Sequence, residues 1–289
     1  MENNWCCIDE EGCVLMENDK FSVLLSLYKS EKPEFLRQAL ESVLNQSVLP
    51  DEIVIVKDGS LTEELEDVLK DFSNKSKLFR FLPFKNNRGL GLALRDGVEA
   101  CRNELIARMD TDDVCKPDRF EKQLHYLKQH PEIALLGTAI EEFSEDINNP
   151  DSKTVLPLVH SDIVDFAKKR NPFRHMTVMF KKKAVIQSGN YRHFLWFEDY
   201  DLWVRMIKNG NMTANLPEIL VSVRAGEDMF ARRGGLKYLK QDLKFQMHLY
   251  NLKLIGVFGL FINIIIRSLV RVLPNSLRVI VYRRGLRKK

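Results

Sequence analysis

The sequence predicts an α/β protein built on a mostly parallel, doubly wound sheet. Three observations carry that expectation. From Phe21 to Thr138, strand-length apolar runs alternate with helical patterns; the connections between them are short; and polar clusters follow the strands at Ser26–Tyr28, Asp58–Ser60 and Asp110–Asp113. A β-α-β-α rhythm closes through crossover helices, which makes neighbouring strands parallel and covers both faces of the sheet. Ligands bind such sheets beyond the carboxyl ends of the strands, so the three clusters are expected to converge on one cleft.

Each element has its own local reason. FSVLLSL, Phe21–Leu27, is an apolar run of strand length. Pro33 suits the first turn of a helix, and PEFLRQALESVLNQ places Phe35, Leu36, Ala39, Leu40, Val43 and Leu44 at helical spacing. DEIVIVKDGS reads as a buried strand ending in a turn, Leu61–Phe72 as an amphipathic helix and Leu78–Phe84 as a third strand. NNRGLG then turns into a helix over Leu90–Cys101, and Glu104–Met109 is a fourth strand with DTDD at its carboxyl end. A helix over Pro117–His130 and a strand over Ile133–Thr138 follow. Beyond about residue 150 the rhythm loosens through NPFRHMTVMFKK and SGNYRHFLWFEDYDLWVRMIKNG. That half is expected to cover the same sheet and supply a second substrate's site. The organisation is therefore an N-terminal extension (1–20), a core domain (21–230, with halves 21–138 and 139–230) and a helical tail (231–289).

With 289 residues, 45% hydrophobic and 29% charged, the chain is neither disordered nor collagenous. Its net charge of +4 is unevenly spread: residues 231–289 hold fourteen Lys/Arg and one acid, Asp242, while 1–230 hold 30 basic and 39 acidic residues. A basic tail on an acidic body points to a polyanionic surface. The five cysteines, Cys6, Cys7, Cys13, Cys101 and Cys115, form neither a disulfide framework nor a paired zinc spacing. No signal peptide opens the chain, so a reducing, cytoplasmic setting is expected.

The chemistry concentrates in ARMDTDDVCKP, where Asp110, Asp112 and Asp113 fall within four positions. Carboxylates this close repel, and a cation offsets the cost. An EF-hand loop is excluded, because Cys115 stands where its sixth position needs glycine. A haloacid-dehalogenase-like phosphatase remains, since Asp110-Thr111-Asp112-Asp113-Val114 fits its DxDxV nucleophile pattern, although here the motif follows a fourth strand. A plain acidic helix start is a third reading. The fourth is a DxD metal site, in which a divalent cation (Mn2+ or Mg2+) held by Asp112 binds a nucleotide diphosphate while Asp110 reaches the ribose.

FSVLLSLYKSE, the helix ending in LNQS, PDEIVIVKDGS, NNRGLGLALRDGV, ARMDTDDVCKPDRF and FEDYDLWVRM together resemble the family 2 glycosyltransferases, which have the GT-A fold. The likeness spans about residues 21–225 and is nearest to enzymes building bacterial capsule, exopolysaccharide and O-antigen repeat units. It implies an inverting glycosyltransferase using a nucleotide-sugar, with UDP the expected carrier. Ser26 and Tyr28 match residues lining the nucleoside, Asp58 the residue on the uracil ring, Asp110 and Asp112 the DxD pair, and Glu198-Asp199 the ED motif. Asp199 is then the general base on the acceptor hydroxyl. Lys57, where the family often has Asp, makes the local field less negative and favours a diphosphate. Asp199 also lies among Tyr191, Phe194, Trp196, Phe197, Tyr200 and Trp203, apolar surroundings that raise a carboxyl's pKa and suit sugar rings. Trp203 and Met206 have core spacing, while Glu198 and Asp199 open the helix at the cleft. His175, Arg88 and Arg95 are further candidates for the diphosphate, each weighed against an ordinary structural role. A non-catalytic sugar-nucleotide-binding protein is the non-enzymatic alternative.

In the tail, LIGVFGLFINIII (254–266) is shorter than the roughly 20 residues of a bilayer-spanning helix. RSLVRVLPNSLRVIVYRRGLRKK then interleaves Arg with aliphatics, the pattern of an interfacial helix on anionic lipid. Long aliphatic runs suit lipid better than a phosphate backbone, so no nucleic acid is expected; a dimerisation helix is the structural alternative. The expected location is the cytoplasmic face of the inner membrane, where a polyprenyl-diphosphate-linked sugar or other glycan acceptor would be met.

Overall fold

Strand β1 (Phe21–Leu27) lies inside the sheet because its side chains have an apolar layer on either side to enter. In the computed structural model, which describes residues 20–225 and 235–272, Leu24 joins one core, while Val23, Leu25 and Leu27 join the other. β2 (Glu52–Lys57) alternates likewise, with Val54 and Val56 on one face and Ile53 and Ile55 on the opposite one. Strands buried on both sides read as continuous apolar runs, which is why FSVLLSL and EIVIVK carry no polar alternation. The expected N-terminal extension, with Cys6, Cys7 and Cys13, and the basic stretch after residue 272 lie outside the described residues.

Helices α1 (Pro33–Leu44), α2 (Glu63–Lys75) and, further on, α4 (Arg119–Gln129) cover one face. Pro33 starts α1, and the Thr62 hydroxyl caps α2 by accepting from the Leu65 N–H at 3.4 Å. β3 (Phe79–Pro83) leads into α3 (Leu90–Ala100), and β4 (Leu105–Arg108) into the DTDD loop and short β5 (Val114–Cys115). After α4 come β6 (Ile133–Phe143), β7 (Ser152–Thr154), α5 (His160–Ala167), a 3-10 turn at His175–Thr177, β8 (Met179–Lys181), α6 (Lys182–Gln187), α7 (Glu198–Lys208) and β9 (Met212–Arg224).

The sheet order is β3-β2-β1-β4-β8-β6-β9-β5, with β7 on β6. The four strands β3, β2, β1 and β4 run parallel. β8 then reverses direction against β4, and β6 pairs antiparallel with β8 and parallel with β9. β6 outruns the strand expected at 133–138 because its polar end is satisfied inside. Glu141 accepts from the Ser222 hydroxyl at 2.7 Å and meets Lys116 at 2.6 Å, and Glu142 accepts from Ser152 at 2.6 Å.

Helices α3, α5, α6 and α7 cover the second face, where Trp203 is fully buried against Phe173, Phe180 and Tyr191. Helices α8 (Gly235–Asn251) and α9 (Val257–Val272) add Tyr238, Phe245, Leu249 and Leu260 to the same core. α9 turns its polar groups inward. Arg267 and Arg271 clasp the buried Asp242 carboxylate at 2.7 and 3.1 Å, and the Asn263 amide donates to the Lys168 carbonyl and the Gln246 side chain, both at 2.9 Å. Its outer side exposes Phe258, Phe261, Ile262, Ile265, Ile266 and Leu269.

Candidate functional site

The parallel order β3-β2-β1-β4 brings the carboxyl ends of β2, β1 and β4 side by side. The Asp58 N–H donates to the Leu27 carbonyl at 2.8 Å, and the Met109 N–H to the Leu24 carbonyl at 3.1 Å. Ser26, half-exposed Tyr28, Asp58 and Asp110 therefore stand at neighbouring strand ends. The Asp58 carboxylate accepts the backbone N–H groups of Arg88 at 2.8 Å and Gly89 at 3.0 Å, where the chain enters α3. Gly59, at φ +95°, passes so close to this loop that a Cβ would lie 2.9 Å from the Asn87 nitrogen, so the turn after β2 requires glycine.

Three cations that the sequence offered as candidates for a diphosphate, Arg88 and Arg95 weighed against an ordinary structural role, are held by acidic partners. Lys57 pairs with Glu66 of α2 at 2.5 Å, Arg88 with Asp96 at 2.5 Å while lying over the Phe84 ring, and Arg95 with Asp96 at 2.8 Å. Local sequence places these residues near the cleft, but the acidic partners that claim them come from α2 and α3.

Within DTDD each side chain has a different fate. Asp110 accepts from Arg108 Nη2 at 2.9 Å and pairs with His175 Nε2 at 2.9 Å. Burial pushes its carboxyl upward, but Arg108 and then His175 outweigh that and hold it well below the usual carboxylate range. The Thr111 hydroxyl donates to Glu31 at 2.6 Å, and the Asp113 carboxylate accepts the Arg224 N–H at 2.9 Å. No ion pair among the described residues reaches Asp112. Burial, then Asp110 and Glu31, push its carboxyl up to about 7. Burial with Asp112 and Asp110 does the same, more strongly, to Asp113. The three carboxylates present oxygens within 4.8 Å of one another. An oxygen-only cluster in which Asp112 has no ion-pair partner among the described residues fits a hard divalent cation of the magnesium or manganese kind.

Glu198 and Asp199 open α7, as the sequence predicts, and Trp203 and Met206 are fully buried. Asp199 Oδ2 lies 3.3 Å from His175 Nδ1 and Oδ1 lies 4.0 Å from Arg108 Nε. His175 thus stands between Asp110 of the nucleotide-binding half and Asp199 of the acceptor half, one ring nitrogen on each. Burial pushes Glu198 up to about 7, with Asp199 adding to it; burial and Asp199 also raise the Tyr191 phenol well above its ordinary value.

Arg108 was absent from the sequence-level site. Its guanidinium is almost wholly buried, spans both carboxylates and, among the described residues, leaves Nε and Nη1 without a hydrogen-bond partner. A signal was present: a lone cation inside the strand LIAR, two residues before Asp110. It lacked any indication of which carboxylates the side chain would meet.

The fold is that of the GT-A glycosyltransferases. Residues 22–194 match the family Glycosyl transferase family 2. The chain is 44% identical over 262 residues (91% of this chain, 97% of the relative) to the amylovoran biosynthesis glycosyltransferase AmsE of Erwinia amylovora. It is 35% identical over 274 residues (94% and 98%) to the UDP-Gal:alpha-D-GlcNAc-diphosphoundecaprenol beta-1,3-galactosyltransferase of Escherichia coli. Among solved structures, S. aureus TarS 1-349 in complex with UDP-GlcNAc superposes with a TM-score of 0.66 at 16% identity, covering 92% of this chain and 77% of that one. The mannosyltransferase PcManGT from Pyrobaculum calidifontis, in complex with GDP-Man and Mn2+, gives 0.63 at 15% identity, covering 90% and 72%. The chain belongs to glycosyltransferase family 2, and the resemblance to bacterial exopolysaccharide and O-antigen glycosyltransferases holds. The phosphatase reading of DTDD falls with it.

Proposed function

We propose that this glycosyltransferase moves a sugar, with inversion, from a UDP-sugar to a hydroxyl of a polyprenyl-diphosphate-linked sugar during bacterial surface polysaccharide synthesis. The observation that carries the reading is the bridge at His175: Asp110, beside the candidate cation site, and Asp199, at the start of α7, share one imidazole. A diphosphate held at Asp112 is then a neighbour of Asp199. The substrate of the Escherichia coli relative and the UDP-GlcNAc bound to TarS support the donor and acceptor classes.

In this reading Ser26 and Tyr28 line the nucleoside. Asp58 receives the ring N–H of the base on lone pairs left over from its bonds to Arg88 and Gly89, and Asp110 reaches the ribose. Asp112, with Asp113 beside it, would hold a divalent cation, Mn2+ or Mg2+. A bound cation would offset the charge of the departing diphosphate. Asp199 takes the proton of the acceptor hydroxyl as that oxygen attacks the anomeric carbon and the bond to the diphosphate breaks. Arg108 and His175 hold the Asp199 carboxylate in place.

The exposed apolar side of α9 supports docking on a membrane surface, the setting in which a lipid-linked acceptor is met. None of the described helices is long and apolar enough to cross a membrane. The contact proposed is peripheral, on the cytoplasmic face, because the apolar side of α9 is backed by polar groups that the protein itself engages.

The test is a panel of UDP-, GDP- and TDP-sugars with manganese or magnesium, reading nucleoside diphosphate release and transfer to a GlcNAc-diphosphate lipid. Release restricted to UDP-sugars and lost in Asp199→Asn supports the reading. Silence across the panel, or an Asp199→Asn variant that behaves as the parent, refutes it; donor binding without turnover would mark a binding protein instead.

A further inference from the structure

Trp196 is out of keeping with its position. It lies two residues before the carboxylate pair of α7, it is 41% exposed, and its backbone takes φ +70°. A bulky side chain in the left-handed region is strained, and such strain persists where surrounding contacts over-determine it. Those contacts are present. The indole stacks on the Tyr238 ring of α8 with centroids 4.9 Å apart and planes 19° from parallel. Tyr238 is in turn fixed by Phe197 at 5.8 Å and by the Arg271 guanidinium, 4.4 Å from its ring centre. Glu198 and the Arg192 carbonyl press against Gly91 at the start of α3, leaving no room for a Cβ there. The turn is thus clamped from α3, α7 and α8 while part of the indole stays open to solvent.

We infer that Trp196, backed by Tyr238, is the platform for the acceptor sugar, and that Lys237 meets the acceptor's diphosphate. Three peptide steps join Trp196 to Asp199, at most about 11 Å between Cα atoms. That span is short enough for a sugar whose hydroxyl reaches Asp199 to lay its ring on the indole. Sugar rings present apolar C–H faces that lie well on a rigid aromatic plane, and an aromatic clamped in advance loses little freedom on binding. Lys237 is exposed, and its ammonium lies 5.9 Å from the same indole, the disposition needed for a ligand with a sugar ring at one end and a phosphate beside it. Because Tyr238 and Arg271 belong to the α8–α9 hairpin, the segment proposed to touch the membrane also completes the acceptor subsite.

This inference rests on the proposed function, and its test separates the two. The full-length protein is compared as parent, Trp196→Gly, Trp196→Phe and Lys237→Met. Glycine accepts φ +70° without strain, so the first variant removes the indole without burdening the turn. The acceptor is a water-soluble short-chain GlcNAc-diphosphate lipid, so that membrane contact plays no part. Expected for Trp196→Gly is a rise in acceptor KM of up to about tenfold, the equivalent of one aromatic contact. Trp196→Phe should recover most of the loss, and Lys237→Met should weaken the diphosphate lipid but not a matching glycoside without phosphate. Donor KM and acceptor-independent nucleotide release should stay as in the parent. Calorimetric binding of the same probe to Asp199→Asn, with and without Trp196→Gly, gives the same comparison without turnover. Weaker binding in the double variant upholds the platform even if no donor in the panel is used. Equal affinities, no binding by Asp199→Asn, or an acceptor KM unchanged by Trp196→Gly overturns it.

Discussion

Glu198→Gln provides a direct measure of the charge stored at the start of α7. Glu198 is 7% exposed, and its carboxyl is pushed from 4.5 to about 7, by burial first and by Asp199 after it. Between those two pH values the folded chain binds a proton that the unfolded chain has released. The stability this proton confers is complete below about pH 4.5 and is lost as pH rises through about 7. An interval of about 2.5 pH units at about 1.36 kcal/mol each sets the ceiling near 3 kcal/mol. Glutamine has the same shape and carries no charge at any pH in this range. Urea unfolding of the full chain, in chelator and with a constant m-value, should therefore find parent and variant alike at pH 4.5. At pH 8 the variant should be more stable by about 2–3 kcal/mol. A difference independent of pH, or a variant weaker at pH 8, would refute the assignment of buried charge to this carboxyl.

Other perturbations follow from the same geometry. Arg108→Met leaves Asp110 and Asp199, on either side of His175, without the buried guanidinium and should cost about 3–5 kcal/mol in neutral-pH unfolding, with Arg108→Lys recovering part. Asp199→Asn should lower transfer by about 10²–10⁴ while donor affinity, read by calorimetry, changes only a few-fold. Asp112→Asn should raise the manganese concentration for half-maximal activity by at least the ~10–100-fold typical of a metal site's outer partners, and chelation should silence the parent reversibly. Gly91→Ala, whose Cβ would strike the Arg192 carbonyl, should impair acceptor use, because the turn carrying Trp196 must move to admit it; acceptor KM against donor KM reads this out.

What was legible in the sequence was local. The bounds of β1, Pro33 at the head of α1, and the opening of α7 at Glu198 depend on runs and spacings within a dozen residues. The convergence of Ser26, Asp58 and Asp110 was legible too, because parallel pairing leaves the strand ends little choice. The electrostatic detail was not. Whether Lys57, Arg88 or Arg95 faces a phosphate depends on Glu66 and Asp96, which compete for them, and no local pattern ranks that competition. His175 joins partners 65 positions upstream and 24 downstream, a relation that exists only once β8 has reversed against β4. In the tail, amphipathy was readable but its sense was not: the polar stripe of α9 faces the protein because Asp242, the one acid in that basic segment, lies beneath it.

That clasp changes what a shortened chain can report. Cutting before Leu254 would strip Asp242 of both guanidinium partners and uncover Phe245 and Leu249, which are fully buried in the intact protein. Such a fragment would aggregate or be degraded, and its failure to sediment with lipid would be mistaken for a lost anchor. Replacing Phe258 and Phe261 with polar residues, outside the clasp, separates adhesion from folding and leaves the remaining hairpin to do its structural work.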